Sequence, residues 1–181
     1  MNINGQNTET KRGKTLWTPR MIATMGVLIA IQIVLTRFMS IQAWNIRIGF
    51  GFVPIVIAAV IFGPVPAMIV AGVSDVLGAL LVPTGPFFIG FTLTAILTGL
   101  TFGLLLHKEQ TIGKSIMSVL IVQGVYGLLL NTLWISILYG TQFGPLLATR
   151  AVEAAILAVV QFATIRMLSE LVHRLPGRLE A

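Results

Sequence analysis

From Ile48 to Leu106 the chain carries a single charged residue, Asp75. Few folds tolerate so long an uncharged stretch. Roughly a quarter of the residues in a soluble domain are charged, against 10% here, and 56% of this chain is hydrophobic. In water such a chain would expose large adhesive apolar patches. The sequence therefore describes an integral membrane protein, and its 181 residues suffice for one compact membrane domain.

A spanning helix needs about 20 mostly apolar residues, somewhat fewer where the bilayer thins. Six candidates follow in order: 19–37, about 48–62, about 66–82, about 88–106, about 115–139 and about 146–172. The second is short and contains Pro54, and "GPVP" at 63–66 makes a tight, uncharged turn after it. "PTGPF" makes the turn before the fourth span, and "HKEQTIGK" the polar loop after it. The expected architecture is an all-α bundle of six transmembrane helices over 19–172, with a polar tail at 1–18 and another at 173–181.

The net charge of +6 could suggest a nucleic-acid partner. Its distribution argues for a lipid bilayer instead. With six spans both termini share one side. That side collects Lys11, Arg12, Lys14, Arg20, Lys108, Lys114, Arg166, Arg174 and Arg178, whereas the other holds Arg37, Arg47 and Arg150. Basic residues gather on cytoplasmic flanks, so both termini are expected in the cytoplasm. No small-residue cleavage site follows the first apolar run, so no cleaved signal peptide is expected.

The chain has no cysteine, which excludes disulfides, thiolate metal sites and a cysteine nucleophile. Its two histidines, His107 and His173, stand among charged residues at helix ends, and no metal is expected. No phosphate-binding GxxxxGK[ST] loop, G-x-S-x-G elbow or H-E-x-x-H helix occurs.

Only Asp75 and Glu153 are acidic and well inside apolar runs. At about 1.5 Å of rise per residue, both fall roughly 10 Å below the outer rim. Arg150, three residues before Glu153, shares its face. Asn131 and Trp134 on the fifth span, and Thr92 and Thr94 on the fourth, lie at similar depth, with Arg37 and Arg47 above. Polar groups thus converge in one layer of the outer half, and the inner half is expected to carry almost none. A channel would continue them across the membrane. The pattern suggests a cup for a ring with donors and acceptors joined to an anionic part. Carboxylates suit a donor edge and arginines a carboxylate. Trp134, Tyr139, Phe50, Phe87 and Phe88 could stack on the ring. Structural ion pairing by Arg150 with either carboxylate also fits these residues, as does an acid/base pair of Asp75 and Glu153 in a small membrane enzyme.

Small residues four apart let helices approach closely. They recur at Gly26/Ala30, Ala67/Ala71, Gly99/Gly103, Ala151/Ala155 and Ala154/Ala158. Most suit internal packing; the first-helix pair suits a partner surface.

Three stretches carry a family resemblance: "RIGFGFVPIVIAAVIFGPVPA", "DVLGALLVPTGPFFIGFTLTAILTGL" and "NTLWISILYG", with "PTGPFFIGFTLTA" the most specific. The chain resembles the substrate-binding S components of energy-coupling-factor vitamin transporters, and within them the folate-specific branch. The resemblance implies capture of folate outside the cell, without a cofactor and without enzymatic activity in this chain. It implies docking on a membrane coupling subunit driven by two cytoplasmic ATPase subunits, in a prokaryotic plasma membrane. In that family a small-residue motif on the first helix, often Ala-x-x-x-Ala, faces the coupling subunit. Here Gly26-x-x-x-Ala30, with Ala23 one turn earlier, is the nearest match. The family covers its pocket with the loop between the first two helices, 38–47 here, which carries Arg47.

The expected binding residues are Arg47 and Arg37 for the anionic tail, Asp75 or Glu153 for the pterin edge, and Phe88, Thr94, Asn131, Trp134 and Arg150 around them. Two alternatives remain at this point. One is an S component for riboflavin, thiamine or a related heterocycle; the other is an assembly subunit that binds no vitamin.

Overall fold

A computed structural model describes residues 18–43 and 46–174, with side chains described except at 41–43, 46–48 and 171–174. Helix α1 (Pro19–Arg37) starts with proline, whose missing N–H is harmless in a first turn. The Thr18 hydroxyl caps it, accepting from the Met21 amide at 3.3 Å. Helix α2 (Phe52–Phe62) is short, and its Pro54 falls in the first turn, where it breaks no helical hydrogen bond. Gly63, at φ 91°, turns the chain directly into α3 (Pro64–Leu81). Helix α4 (Ile89–Leu106) follows the 82–88 turn. Helix α5 (Ile112–Tyr139) is one continuous rod, wound as a π-helix over Ile121–Leu130. Gly140, in the left-handed conformation, ends it before α6 (Phe143–Arg174).

Five of these helices are long and apolar enough to cross a membrane, and α2 is apolar but shorter. Apolar side chains occupy the interior and the perimeter alike: Val56, Val70 and Phe102 are wholly buried, whereas Leu80, Val159 and Met167 are at least 70% exposed. A helix apolar on all sides suits a lipid environment.

The second apolar run does not begin as a helix. Ile41–Ala43 (β1) and Ile46–Ile48 (β2) pair antiparallel, with Gln42 opposite Arg47, and α2 starts only at Phe52. The expected start near residue 48 is thus four residues early. Gly49 and Gly51 hold the returning chain against the end of α1. A Cβ at either would meet Ser40 or Thr36 within 2.8 Å, so larger residues would push the hairpin away. The other helix ends agree with the sequence-based bounds to within three residues.

Close contacts fix how the helices alternate. A Cβ on Gly103 would lie 2.2 Å from the Pro64 Cα, and one on Gly99 would lie 2.5 Å from the Ala67 carbonyl oxygen. These glycines let the end of α4 touch the start of α3 backbone to backbone. Arg37 lies over Gly78, so α1 and α3 end together. His107 Nδ1 lies 3.2 Å from the Val60 carbonyl, which brings the end of α2 to the same end as that of α4. Arg166 donates to the Gln110 carbonyl at 3.1 Å, tying the later part of α6 to the start of α5. Near it, Lys114 donates to Glu109 at 2.8 Å, and this bond holds the Glu109 carboxyl below its usual range.

The bundle therefore has two ends. The rim end gathers Arg37, the hairpin, the 82–88 turn and the 139–143 turn. The opposite end holds an apolar core of Met21, Met25, Ala59, Ala67, Phe102, Leu106, Val119 and Ile165.

Candidate functional site

The rim end opens into a cavity of about 750 Å³, within the range of small-molecule sites. All six helices contribute to its wall: Gln32 and Arg37 from α1, Phe52 and Ile55 from α2, Asp75 from α3, Thr94 and Thr98 from α4, Gln123, Tyr126 and Asn131 from α5, and Arg150, Glu153 and Gln161 from α6.

The charged groups lie at different levels. Arg37 stands at the mouth, where its Nη1 donates to the Thr84 hydroxyl at 2.6 Å. That bond ties the end of α1 to the 82–88 turn. Asp75 lies less than one helical turn deeper on α3 than Gly78, over which Arg37 sits, and its Oδ2 accepts from the Thr92 hydroxyl at 2.7 Å. Arg150 and Glu153 face one another one helical turn apart, with Nη2 to Oε2 at 3.6 Å and side chains 10% and 5% exposed. Arg150 Nη2 also reaches the Gly127 carbonyl at 3.5 Å. Burial of an ion pair is costly unless hydrogen bonds complete it.

The aromatic wall is built from the start of α4. Phe88 lies 5.7 Å from the Trp134 ring and 6.1 Å from Phe91. Gly90 makes this possible: a Cβ there would lie 2.5 Å from the Phe88 ring and 2.7 Å from that of Trp134. Trp134 Nε1 donates to the Thr94 hydroxyl at 3.0 Å, and Thr94 in turn donates to the Gly90 carbonyl at 3.0 Å. Trp134 itself stands behind Phe88 and Thr94, which line the cavity with Phe87 and Tyr139. Phe50 lies away from this wall, against Phe52 at 6.4 Å.

The π-helical stretch shapes the α5 wall. Its i→i+5 bonding, closed by Asn131 N–H to the Tyr126 carbonyl, widens the turn. The cavity-facing set Gln123, Tyr126, Gly127 consequently continues to Asn131 and then Ile135. Both regular and π turns are compatible with this apolar sequence, so the winding has no sequence signature.

The structure brings Arg37, Asp75, Phe88, Thr94, Asn131, Arg150 and Glu153 to one cavity. Arg47 lies on β2, alongside α6, and its side chain is outside the described residues. Ala23, Gly26 and Ala30 are exposed on the outside of α1, and nothing lies within 4 Å of a Cβ built on Gly26. Ala67 and Ala71, by contrast, are wholly buried.

One expectation needs correction: the polar groups do not stop in the outer half. Gln123 and Gln161 line the deeper cavity, and the Tyr126 and Thr101 hydroxyls bond at 3.0 Å near its floor. Gln32, Gln123 and Gln161 were missed because attention to charge passes over neutral amides. The available signal was three glutamines inside otherwise apolar spans, where a polar group needs a partner. Beneath them Phe102, Leu106, Val119 and Ile165 seal the opposite end. Among the described residues no three His, Asp or Glu side chains cluster as metal ligands would.

The chain compares with known proteins as follows. A folate transporter FolT from Clostridium novyi is 38% identical over 83% of this chain and 88% of its own length. A second FolT, from Leuconostoc mesenteroides, is 29% identical over 67% of this chain and 66% of its own. The crystal structure of FolT bound with folic acid superposes with a TM-score of 0.79 at 34% identity, covering 83% of this chain and 93% of that one. The family described as ECF transporter, substrate-specific component, matches residues 20–172. A membrane protein of apolar helices around a deep polar cavity, this chain belongs to the substrate-specific components of energy-coupling-factor transporters.

Proposed function

We propose that this chain captures folate from outside a prokaryotic cell as the specificity subunit of an energy-coupling-factor importer. The observation that carries the reading is the cavity itself, with arginine at the mouth and carboxylates, aromatic rings and amides below. Its close relatives are folate transporters, one of them solved with folic acid.

Folate joins a flat, hydrogen-bonding pterin ring to a glutamate tail. Arg37, half-exposed at the mouth, meets the tail carboxylates, and Arg47 on the covering hairpin joins it. The ring goes deeper, against Phe88, with Asp75 or Glu153 accepting from its N–H edge and Asn131 and Thr94 nearby. Arg150 faces Glu153 and orients its carboxyl group. Trp134 fixes Thr94 and Phe88 rather than stacking on the ligand directly.

All six helices cross the membrane in this reading, and both termini lie in the cytoplasm, as the distribution of basic residues requires. The exposed Ala23, Gly26 and Ala30 face of α1 docks on a membrane coupling subunit. Two ATPase subunits supply the energy, and this chain performs no catalysis.

Calorimetric titration of the detergent-purified chain with folic acid, riboflavin and thiamine tests the reading. One-to-one binding of folic acid alone supports it. Binding of another vitamin instead would reassign the ligand, and binding of none by folded protein would favour an assembly subunit.

A further inference from the structure

Gln32 on α1 and Gln161 on α6 are only 5% and 4% exposed, and both line the cavity. The side-chain oxygen of each is shielded from solvent and has no hydrogen-bond partner among the described residues. Asn131 Oδ1 on α5 is in the same condition. A buried acceptor without a partner destabilises a fold, whereas an apolar side chain of the same shape does not. Such groups therefore need a reason to be there. The carboxylates of the same wall differ, because Asp75 holds Thr92 and Glu153 faces Arg150. The amides are neutral, and each can turn about its last bond to offer either an acceptor or donors.

We infer that Gln32 and Gln161 are ligand-binding residues that take the N–H edge of a heterocyclic ring inside the cavity. Their oxygens gain, on loading, the partners that the free protein does not provide. The inference rests on the folate reading and adds to it a neutral layer of ring recognition on α1 and α6, deeper than the charged residues those helices bring to the cavity. A site built to hydrogen-bond a ring discriminates strongly against rings without the matching groups.

The test uses the full chain in detergent, with Gln32→Met and Gln161→Met made separately. Two quantities are read for each: the thermal midpoint without ligand, and the affinities for folic acid and for pterin, the ring without its tail. The expected result is a midpoint unchanged or raised, with folic acid and pterin weakened by the same factor, about ten-fold. Any lowered midpoint, or a variant that does not fold, marks a structural amide and overturns the inference for that residue. Unchanged affinities overturn it too. If the unaltered chain fails to bind folic acid, the folate reading falls by itself. The ligand-free midpoint then judges the amides alone, a fall overturning the inference and a rise keeping it for another ring.

Discussion

The two ends of this bundle are built on opposite rules. Toward the chain's termini, glycines 99 and 103 press α4 onto α3 until backbones touch, and Phe102, Leu106 and Ile165 leave almost no surface exposed. At the rim the six helices surround about 750 Å³ of space. Buried polar atoms there, among them Gln32 Oε1 and Asn131 Oδ1, lack partners among the described residues. One end is optimised for packing, and the other gives up packing for a ligand. A single chain can do both because stability is carried by the closed end, leaving the open end free to hold strained or incompletely paired groups.

Substitutions can break this division in graded ways. The largest effect is expected from Arg150→Met, which leaves Glu153 buried without its arginine. Loss of one member of a buried pair costs about 3–5 kcal/mol, so both the thermal midpoint and folic acid binding should fall. Gly103→Ala should act on the closed end alone. Forcing a Cβ against Pro64 costs about 1–3 kcal/mol in unfolding measurements, while the folded fraction keeps its folic acid affinity.

Gly90→Ala should do the reverse. Pushing Phe88 and Trp134 apart is expected to weaken folic acid about ten-fold, or about 1.4 kcal/mol, with a smaller stability loss than Gly103→Ala. Arg37→Ala should weaken folic acid about three- to ten-fold, as for a solvent-accessible charged contact, and pterin much less. Equal losses for both ligands would remove the tail from Arg37; Arg47→Ala provides the same test for the hairpin. Gly26→Leu is expected to change the isolated chain least, within about 0.5 kcal/mol, and yet to lower folic acid uptake by cells that carry the coupling module. Unchanged uptake would move the docking face elsewhere.

The sequence made the membrane class and five long spans legible, because continuous apolar runs leave no other stable arrangement. It also placed Asp75, Asn131, Arg150 and Glu153 at the cavity. Helical rise alone sets depth, and buried charges must face inward. What it could not display depends on neighbours. The hairpin at 41–48 replaces the expected first turn of α2 because Gly49 and Gly51 let the chain fold back on Ser40 and Thr36. Trp134 has the right depth, but whether it meets the ligand or stands behind Phe88 is decided by how α4 and α5 pack. The π-helical stretch that carries the wall to Asn131 leaves no mark in an apolar sequence. The deep glutamines are visible in the sequence, but neutral amides stand out far less than carboxylates.

The most direct test is a crystal structure of this chain grown with folic acid. The account predicts one molecule in the rim-end cavity, its ring beside Phe88 and the deep amides, and its glutamate tail at Arg37. Folic acid bound elsewhere, or with its tail buried beside Glu153 and its ring at the mouth, would contradict it.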